Sequence, residues 1–281
     1  MKTAYLENEI EITGLGPVSL PDTLDCGQCF RWKPLDDGTW QGIAYGKECR
    51  VRENGDGITF CGVGEDDFRN IWVEYFDLDR DYKRLREVFS EDALLKRACE
   101  FAPGIRLLKQ EPWEAFITFI ISQNNNVARI RGLVEKVCAA YGEPVGETHA
   151  FPTAERLAGV SEGEFAALGC GYRAEYLSEA AKEVCDGRLD LEALRDAPLC
   201  EARERLLKVK GIGPKVADCV LLFGLGRLDR CPADVWMKRV LAAMGGSLPA
   251  CVGDCGGIAQ QYLFHYVRKV PDALCNCEAG E

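Results

Sequence analysis

Between Phe30 and Val63 the apolar positions fall in short aromatic or β-branched runs: FRWK (30–33), TWQGIAY (39–45), ECRVRE (48–53) and ITFCGV (58–63). Asp37-Gly38, Gly46 and Asn54-Gly55-Asp56-Gly57 punctuate them, and such pairs favour tight hairpin turns. The pattern predicts an antiparallel meander. From Glu65 onward the apolar residues recur at the helical period. Helices are expected over 65–76, 80–89 and 90–101, the last with Ser90 as its N-cap. Further ones are expected over 113–122, 127–141, 173–184, 200–209, 214–223, 235–244 and 257–269. The fold class is therefore α+β: an N-terminal antiparallel β-sheet domain with flanking helices (1–88), followed by a mostly α-helical region (89–281).

Composition narrows the function classes. With 281 residues, 47% of them hydrophobic, the chain can bury a substantial core. No apolar run approaches a bilayer span, and the opening MKTAYLENEIEITG does not have the pattern of a signal peptide. A soluble, intracellular protein is expected, in a prokaryotic cytoplasm, without a membrane partner. The fifteen cysteines are odd in number and scattered through apolar stretches, which suits small buried hydrophobes in a reducing compartment. Two histidines, His149 and His265, make a His-rich metal site a poor expectation. The net charge of −11 excludes a protein that coats nucleic acid nonspecifically, because counterion release needs clustered Lys and Arg. Between Glu201 and Val240, however, nine basic residues face five acidic ones, a local surplus of four. An acidic chain with one basic face can still bind duplex DNA.

That basic stretch carries the most informative string, LLKVKGIGPKVADCVLLFGLG (206–226), followed at once by Arg230-Cys-Pro-Ala-Asp234. Val209-Lys-Gly-Ile-Gly213 reads as a two-glycine turn, and glycine admits positive φ and close backbone approach. Pro214 suits the first position of the helix that follows. Such a turn presents free N–H groups at the positive end of a helix, which suits an anion such as phosphate. Lys215 lies one residue into that helix, and Asp234 lies nineteen residues on, at the expected N-cap of the next. An amine and a carboxylate beside a phosphate-binding turn point to chemistry on nucleic acid.

The string resembles the helix-hairpin-helix motif (206–226), hydrophobic-x-Gly-hydrophobic-Gly-x-Lys, and the Gly/Pro-Asp loop (224–234) of the DNA glycosylase superfamily. Five more segments are similar to one branch, the 8-oxoguanine DNA glycosylase/AP lyases. They are Cys26-Gly-Gln-Cys-Phe-Arg-Trp32, Ser122-Gln-Asn-Asn-Asn-Val-Ala-Arg129, Leu168-Gly-Cys-Gly-Tyr-Arg173, Arg230-Cys-Pro-Ala-Asp-Val235 and Gly257-Ile-Ala-Gln-Gln-Tyr-Leu-Phe264. Together they cover nearly the whole chain in collinear order. The resemblance implies a monomeric, bifunctional enzyme that excises 8-oxoguanine from double-stranded DNA and then cleaves the strand. It implies Lys215 as the nucleophile on C1′ of the extruded nucleotide, forming a Schiff base from which β-elimination follows. The attacking amine must be neutral, whereas an ordinary lysine, with a pKa of about 10.4, is almost wholly protonated at pH 7. Asp234 is implied to stabilise positive charge on the sugar and to assist proton transfers.

The same resemblance assigns recognition. Gly211 and Gly213 meet the DNA phosphate. The Gly27 carbonyl accepts from N7, which carries a hydrogen in 8-oxoguanine and a lone pair in guanine. Cys219 and Phe264 sandwich the base, and Gln260 reads its Watson–Crick edge. Gln260 and Phe264, four apart on one helix, point the same way. Asn124, Arg129, Tyr172 and Arg173 fill the vacated stack and hold the orphaned cytosine, Arg129 setting the preference for cytosine. Trp236 departs from the histidine common in relatives, so that histidine's contacts do not carry over. No metal or organic cofactor is implied beyond a monovalent cation at the hairpin–phosphate contact. Endonuclease III-like relatives with an iron–sulfur cluster carry C-x6-C-x2-C-x5-C. Here Cys251-x3-Cys255 and Cys275-x-Cys277 lack that spacing, so no cluster is expected. Alkyl-base glycosylases lack the lysine. A non-enzymatic helix-hairpin-helix DNA-binding module would need neither Asp234 nor Gly27.

Overall fold

The alternation Glu9-Ile10-Glu11-Ile12 puts two isoleucines on one face of a strand, and both are buried. The computed structural model describes residues 1–270 and 272–274. The chain runs β1 (Lys2–Tyr5), β2 (Glu9–Thr13), α1 (Leu20–Leu24), β3 (Trp32–Pro34), β4 (Trp40–Ala44), β5 (Lys47–Glu53) and β6 (Ile58–Cys61). Next come α2 (Glu65–Asp67) and α3 (Val73–Tyr75), separated by a π-helical turn, then α4 (Tyr82–Phe89) and α5 (Ala93–Phe101). Helices α6 (Pro112–Ile121) and α7 (Val127–Tyr141) precede a small hairpin, β7 (Pro144–Val145) and β8 (Thr148–His149). Then follow α8 (Ala154–Ala158), α9 (Glu162–Ala167), α10 (Arg173–Cys185), α11 (Leu191–Asp196), α12 (Leu199–Lys208) and α13 (Pro214–Cys219). Helix α14 (Val235–Ala243), a 3₁₀ segment (Ala250–Cys255) and α15 (Gly256–Lys269) complete the order.

The α+β expectation holds: an N-terminal six-stranded sheet, order β1-β2-β6-β5-β4-β3, precedes a helical region. Strand β1 pairs with β2, β2 with β6 and β3 with β4, each antiparallel. Several local expectations are corrected. Strands β1 and β2 lie outside the expected meander, which was read only from Phe30. Residues 65–76 do not form one regular helix, because a π turn over Phe68–Trp72 interrupts them. That turn buries both Phe68 and Trp72. Ser90 does not cap α5: its hydroxyl donates back to the Arg86 carbonyl (2.6 Å) at the end of α4. Asp92 caps α5 instead, accepting from the Leu94 and Leu95 N–H groups at 2.9 Å each.

The chain divides into two compact units that interleave along the sequence. One comprises 1–28, 51–108 and 227–281, the other 29–50 and 109–226. In the first, Ile10 pairs with Phe60 and Ile12 with Ile58 across β2–β6. Phe60 then meets Phe68 and Phe76 edge-on at 5.1 and 5.5 Å. Helix α15 closes this core, with Tyr262 edge-on to Phe89 and donating to the Ile105 carbonyl (3.3 Å). In the second unit α6 is apolar nearly all round, as a central helix must be. Phe119 on α6 stacks on Phe223 at 5.3 Å. Gly224 makes that approach possible, since a Cβ there would lie 3.0 Å from Ala115 Cβ. Among the described residues no helix is long and apolar enough to cross a membrane.

Candidate active site

The nominated residues fall on both units. On the second, α12 and α13 flank the glycine turn as the periodicity predicts. The two glycines serve different ends. Gly211 has φ +83°, and a Cβ there would sit 2.3 Å from the Tyr176 ring, so neither strain nor space admits a side chain. Gly213 is in an extended conformation (φ −92°, ψ 174°) and caps α13, with nothing within 4 Å of an added Cβ. Its lack of a side chain leaves open space before the helix, the approach that a backbone-bound anion requires.

Lys215 is half-buried on the first turn of α13. Its Nζ donates to Ser122 Oγ at 3.5 Å and lies 5.4 Å from the Phe119 ring centroid. Ser122 is buried and donates its own proton to the Phe119 carbonyl (2.8 Å), which leaves its lone pairs free to accept. One turn on, Cys219 is 2% exposed. Beyond it the helix widens into a π turn over Val220–Gly224, where the Leu225 N–H bonds the Val220 carbonyl. Such turns recur at functional sites.

The loop 122–126 and the start of α10 bring Asn124, Tyr172 and Arg173 together. Asn124 takes φ +46°, and its Nδ2 donates to Tyr172 Oη at 3.1 Å. Tyr172 is 49% exposed. Beneath it lies the Arg173 guanidinium, 4.6 Å from the ring centroid. Arg173 itself is turned inward and buried, donating to the carbonyls of Gln123 (2.8 Å), Asn124 (3.1 Å) and Cys170 (3.3 Å). In this conformation it holds the loop. Arg129 stands exposed on the first turn of α7, which Asn126 caps.

On the first unit, Asp234 caps α14, its Oδ1 accepting from the Met237 N–H at 2.9 Å. The cap fixes the carboxylate's orientation. Gly27 has φ +93°, and its neighbours are tied down on both sides. Gln28, 0% exposed, donates to the Thr23 and Arg106 carbonyls at 2.8 Å each and accepts from the Leu108 N–H at 2.9 Å. The Cys26 thiol donates to the Thr23 carbonyl (3.2 Å) and accepts from Gln261 Nε2 (2.9 Å). Burial pushes that thiol up to about 11, so it stays protonated and unreactive. On α15, Gln260 is 4% exposed and its Oε1 has no hydrogen-bond partner among the described residues. Phe264, four residues on, is half-exposed. His265 Nε2 lies 3.0 Å from Asp22 Oδ1, a contact that holds the Asp22 carboxyl below the usual range.

Sequence reasoning did not nominate Ser122, Gln123 or Gln28, although all three lie inside quoted motifs. Gln123 ties its loop to the hairpin by donating to the Gly211 carbonyl at 3.1 Å. Only their polarity within apolar surroundings could have singled them out. Trp236 is 38% exposed with the Arg239 guanidinium 5.4 Å from its ring centroid. A cavity of about 410 Å³ within the second unit, lined by Arg31, Lys33, Arg131 and His149 among others, contains none of the nominated residues. Among the described residues no three His, Cys, Asp or Glu side chains cluster as metal ligands. Cys275 and Cys277 lie outside the described residues.

Comparison with known proteins identifies the family. Residues 12–116 match the family described as "8-oxoguanine DNA glycosylase, N-terminal domain", and residues 117–250 match "HhH-GPD superfamily base excision DNA repair protein". The chain is similar to the N-glycosylase/DNA lyase of Saccharomyces cerevisiae, 33% identical over 79% of this chain and 66% of that protein. It is also similar to the N-glycosylase/DNA lyase OGG1 of Arabidopsis thaliana, 34% identical over 78% of this chain and 64% of that protein. It thus spans just under two thirds of these relatives. The solved 8-oxoguanine glycosylase/lyase of Clostridium acetobutylicum, bound to DNA with cytosine opposite 8-oxoguanine, superposes with a TM-score of 0.90. That pair is 33% identical over 96% of this chain and 98% of that one.

Proposed function

Because the chain belongs to the 8-oxoguanine DNA glycosylase/AP lyase family of the helix-hairpin-helix superfamily, we propose that it excises 8-oxoguanine from duplex DNA, preferentially opposite cytosine, and then nicks the strand. The observation that carries this reading is the lysine at the hairpin. Lys215 follows an open glycine cap, and its amine is held by a hydroxyl and an aromatic face. Within its own unit it forms no ion pair among the described residues.

The chemistry follows from that amine. Neutral Nζ attacks C1′, the C1′–N9 bond breaks, and the base leaves with a proton. The sugar ring opens to a Schiff base between Nζ and C1′. Loss of a proton from C2′ then expels the 3′ phosphate by β-elimination. Asp234, fixed by its capping bond, faces the positive charge that develops on the sugar and relays protons. Discrimination falls to Gly27, whose carbonyl meets N7–H of the lesion but would oppose the lone pair of guanine. Gln260 Oε1 supports this reading. A buried acceptor without a partner costs about 1–3 kcal/mol, and a base edge would meet it. Asn124, Arg129 and Tyr172 serve the opposite strand, with Arg173 supporting them from below. The Gly211 carbonyl accepts from Gln123 Nε2 at 3.1 Å and keeps a second lone pair for a monovalent cation at the hairpin–phosphate contact.

Lys215→Gln tests the reading. The variant keeps DNA binding but loses both strand cleavage and borohydride trapping; persistent trapping removes Lys215 as the nucleophile. A lesion panel completes the test, since excision of oxidised pyrimidines in place of 8-oxoguanine would move the enzyme to another branch.

A further inference from the structure

Gly27 sits between two tightly bonded neighbours, yet glycine at φ +93° has more backbone freedom than any other residue. A carbonyl that must distinguish a hydrogen from a lone pair needs one orientation. On the Gln28 side the restraint is wholly buried. On the Cys26 side an exposed residue supplies it. Arg268, on the last turn of α15, donates from one guanidinium nitrogen to the Cys26 carbonyl at 3.2 Å. The same guanidinium carbon lies 4.9 Å from the centroid of the Phe264 ring, one turn back on the helix.

We propose that Arg268 is the positioning residue that couples the Gly27 carbonyl to the Phe264 ring and so sets selectivity for the oxidised base. This inference rests on the reading of Gly27 and Phe264 given above. The Cys26 carbonyl and the Gly27 N–H belong to one planar peptide, so fixing that carbonyl fixes one side of the glycine. The planar guanidinium lies over an aromatic face while a fork nitrogen serves the carbonyl, two tasks that an ammonium cannot perform together. A cation that only complements the helix dipole would need no such geometry. Lys269, its neighbour, could serve that purpose as well.

The competing roles separate on two substrates. Strand cleavage at a preformed abasic site needs the lysine but no base reading, whereas excision of 8-oxoguanine needs both. Arg268→Ala is expected to slow single-turnover excision of 8-oxoguanine by about tenfold, within the range a misplaced group costs. It should leave lyase activity on abasic duplex unchanged. Arg268→Lys is expected to behave like the alanine variant in excision while keeping the wild-type salt dependence of binding. Three outcomes would overturn the inference: excision at the wild-type rate in Arg268→Ala, a parallel fall of excision and lyase activity, or full rescue by lysine. Wild-type excision and lyase activities carry the underlying functional reading alone, so a failure there is distinct from an unchanged ratio in the variant.

Discussion

Gln28 and Asn124 are both amide side chains in short loops beside proposed recognition positions, and they are used in opposite ways. Gln28 is fully buried and satisfies two carbonyls and one N–H, so the turn at Gly27 is part of the core of its unit. Asn124 is exposed in a left-handed conformation, and its amide donates to the hydroxyl of an exposed tyrosine. Arg173 holds that second loop from beneath through its carbonyls. The contrast fits the two tasks. Telling N7–H from a bare N7 demands a fixed acceptor. Filling a vacated stack demands reach.

The largest effect is expected from breaking the rigid side of this comparison. Gln28→Ala strands two buried carbonyls and one N–H, and should lower the unfolding free energy by about 3 kcal/mol in urea titration. A loss below about 1 kcal/mol would place the Gly27 turn among the loosely held loops. A second effect is expected at the start of α6. Glu114 on α6 is buried 3.5 Å from Arg31, too long and too dry for the guanidinium to offset desolvation, which raises its carboxyl to about 7. Unfolded, the group titrates near its ordinary value of 4.5. Between those values the folded chain keeps a proton that the unfolded chain has released, so stability falls as pH rises through the window. The loss approaches about 3 kcal/mol by pH 8, and Glu114→Gln should flatten the pH profile of the melting temperature. An equally sloped variant would move the titration elsewhere. The smallest stability effect, within about 0.5 kcal/mol, is expected for exposed Arg129→Ala. That variant should narrow the ratio of excision opposite cytosine to excision opposite adenine, and an unaltered ratio removes Arg129 from the cytosine contact.

The glycine turn, its flanking helices and the Asp234 cap were legible because each depends on local chemistry: a proline at the helix start, a glycine forced into positive φ, a carboxylate before a helix. The π turn at 68–72 was not, since burying both Phe68 and Trp72 is a tertiary demand that periodicity does not display. Short α9 carries a full capping box, with Ser161 accepting from the Glu164 N–H and Glu164 accepting from Ser161, so its signal was present but too brief to register as a period. Strand β1 gave no pattern of its own because it is exposed throughout and offers no apolar alternation. Within the site, Lys215 and Gly27 could be nominated from motifs, whereas Ser122, Gln28 and Arg268 act through partners dozens to hundreds of positions away. No local pattern encodes such distances.

The interleaving of the two units bears on how the polypeptide is made. The unit that begins at Met1 stays incomplete until 227–281 has been synthesised. Helix α15 supplies Tyr262 to Phe89 and His265 to Asp22. On the ribosome Phe89 and Asp22 must therefore wait for these partners while the intervening residues 109–226 emerge. Losing the last helix would accordingly leave Phe89 on α4 and Asp22 on α1 without these partners.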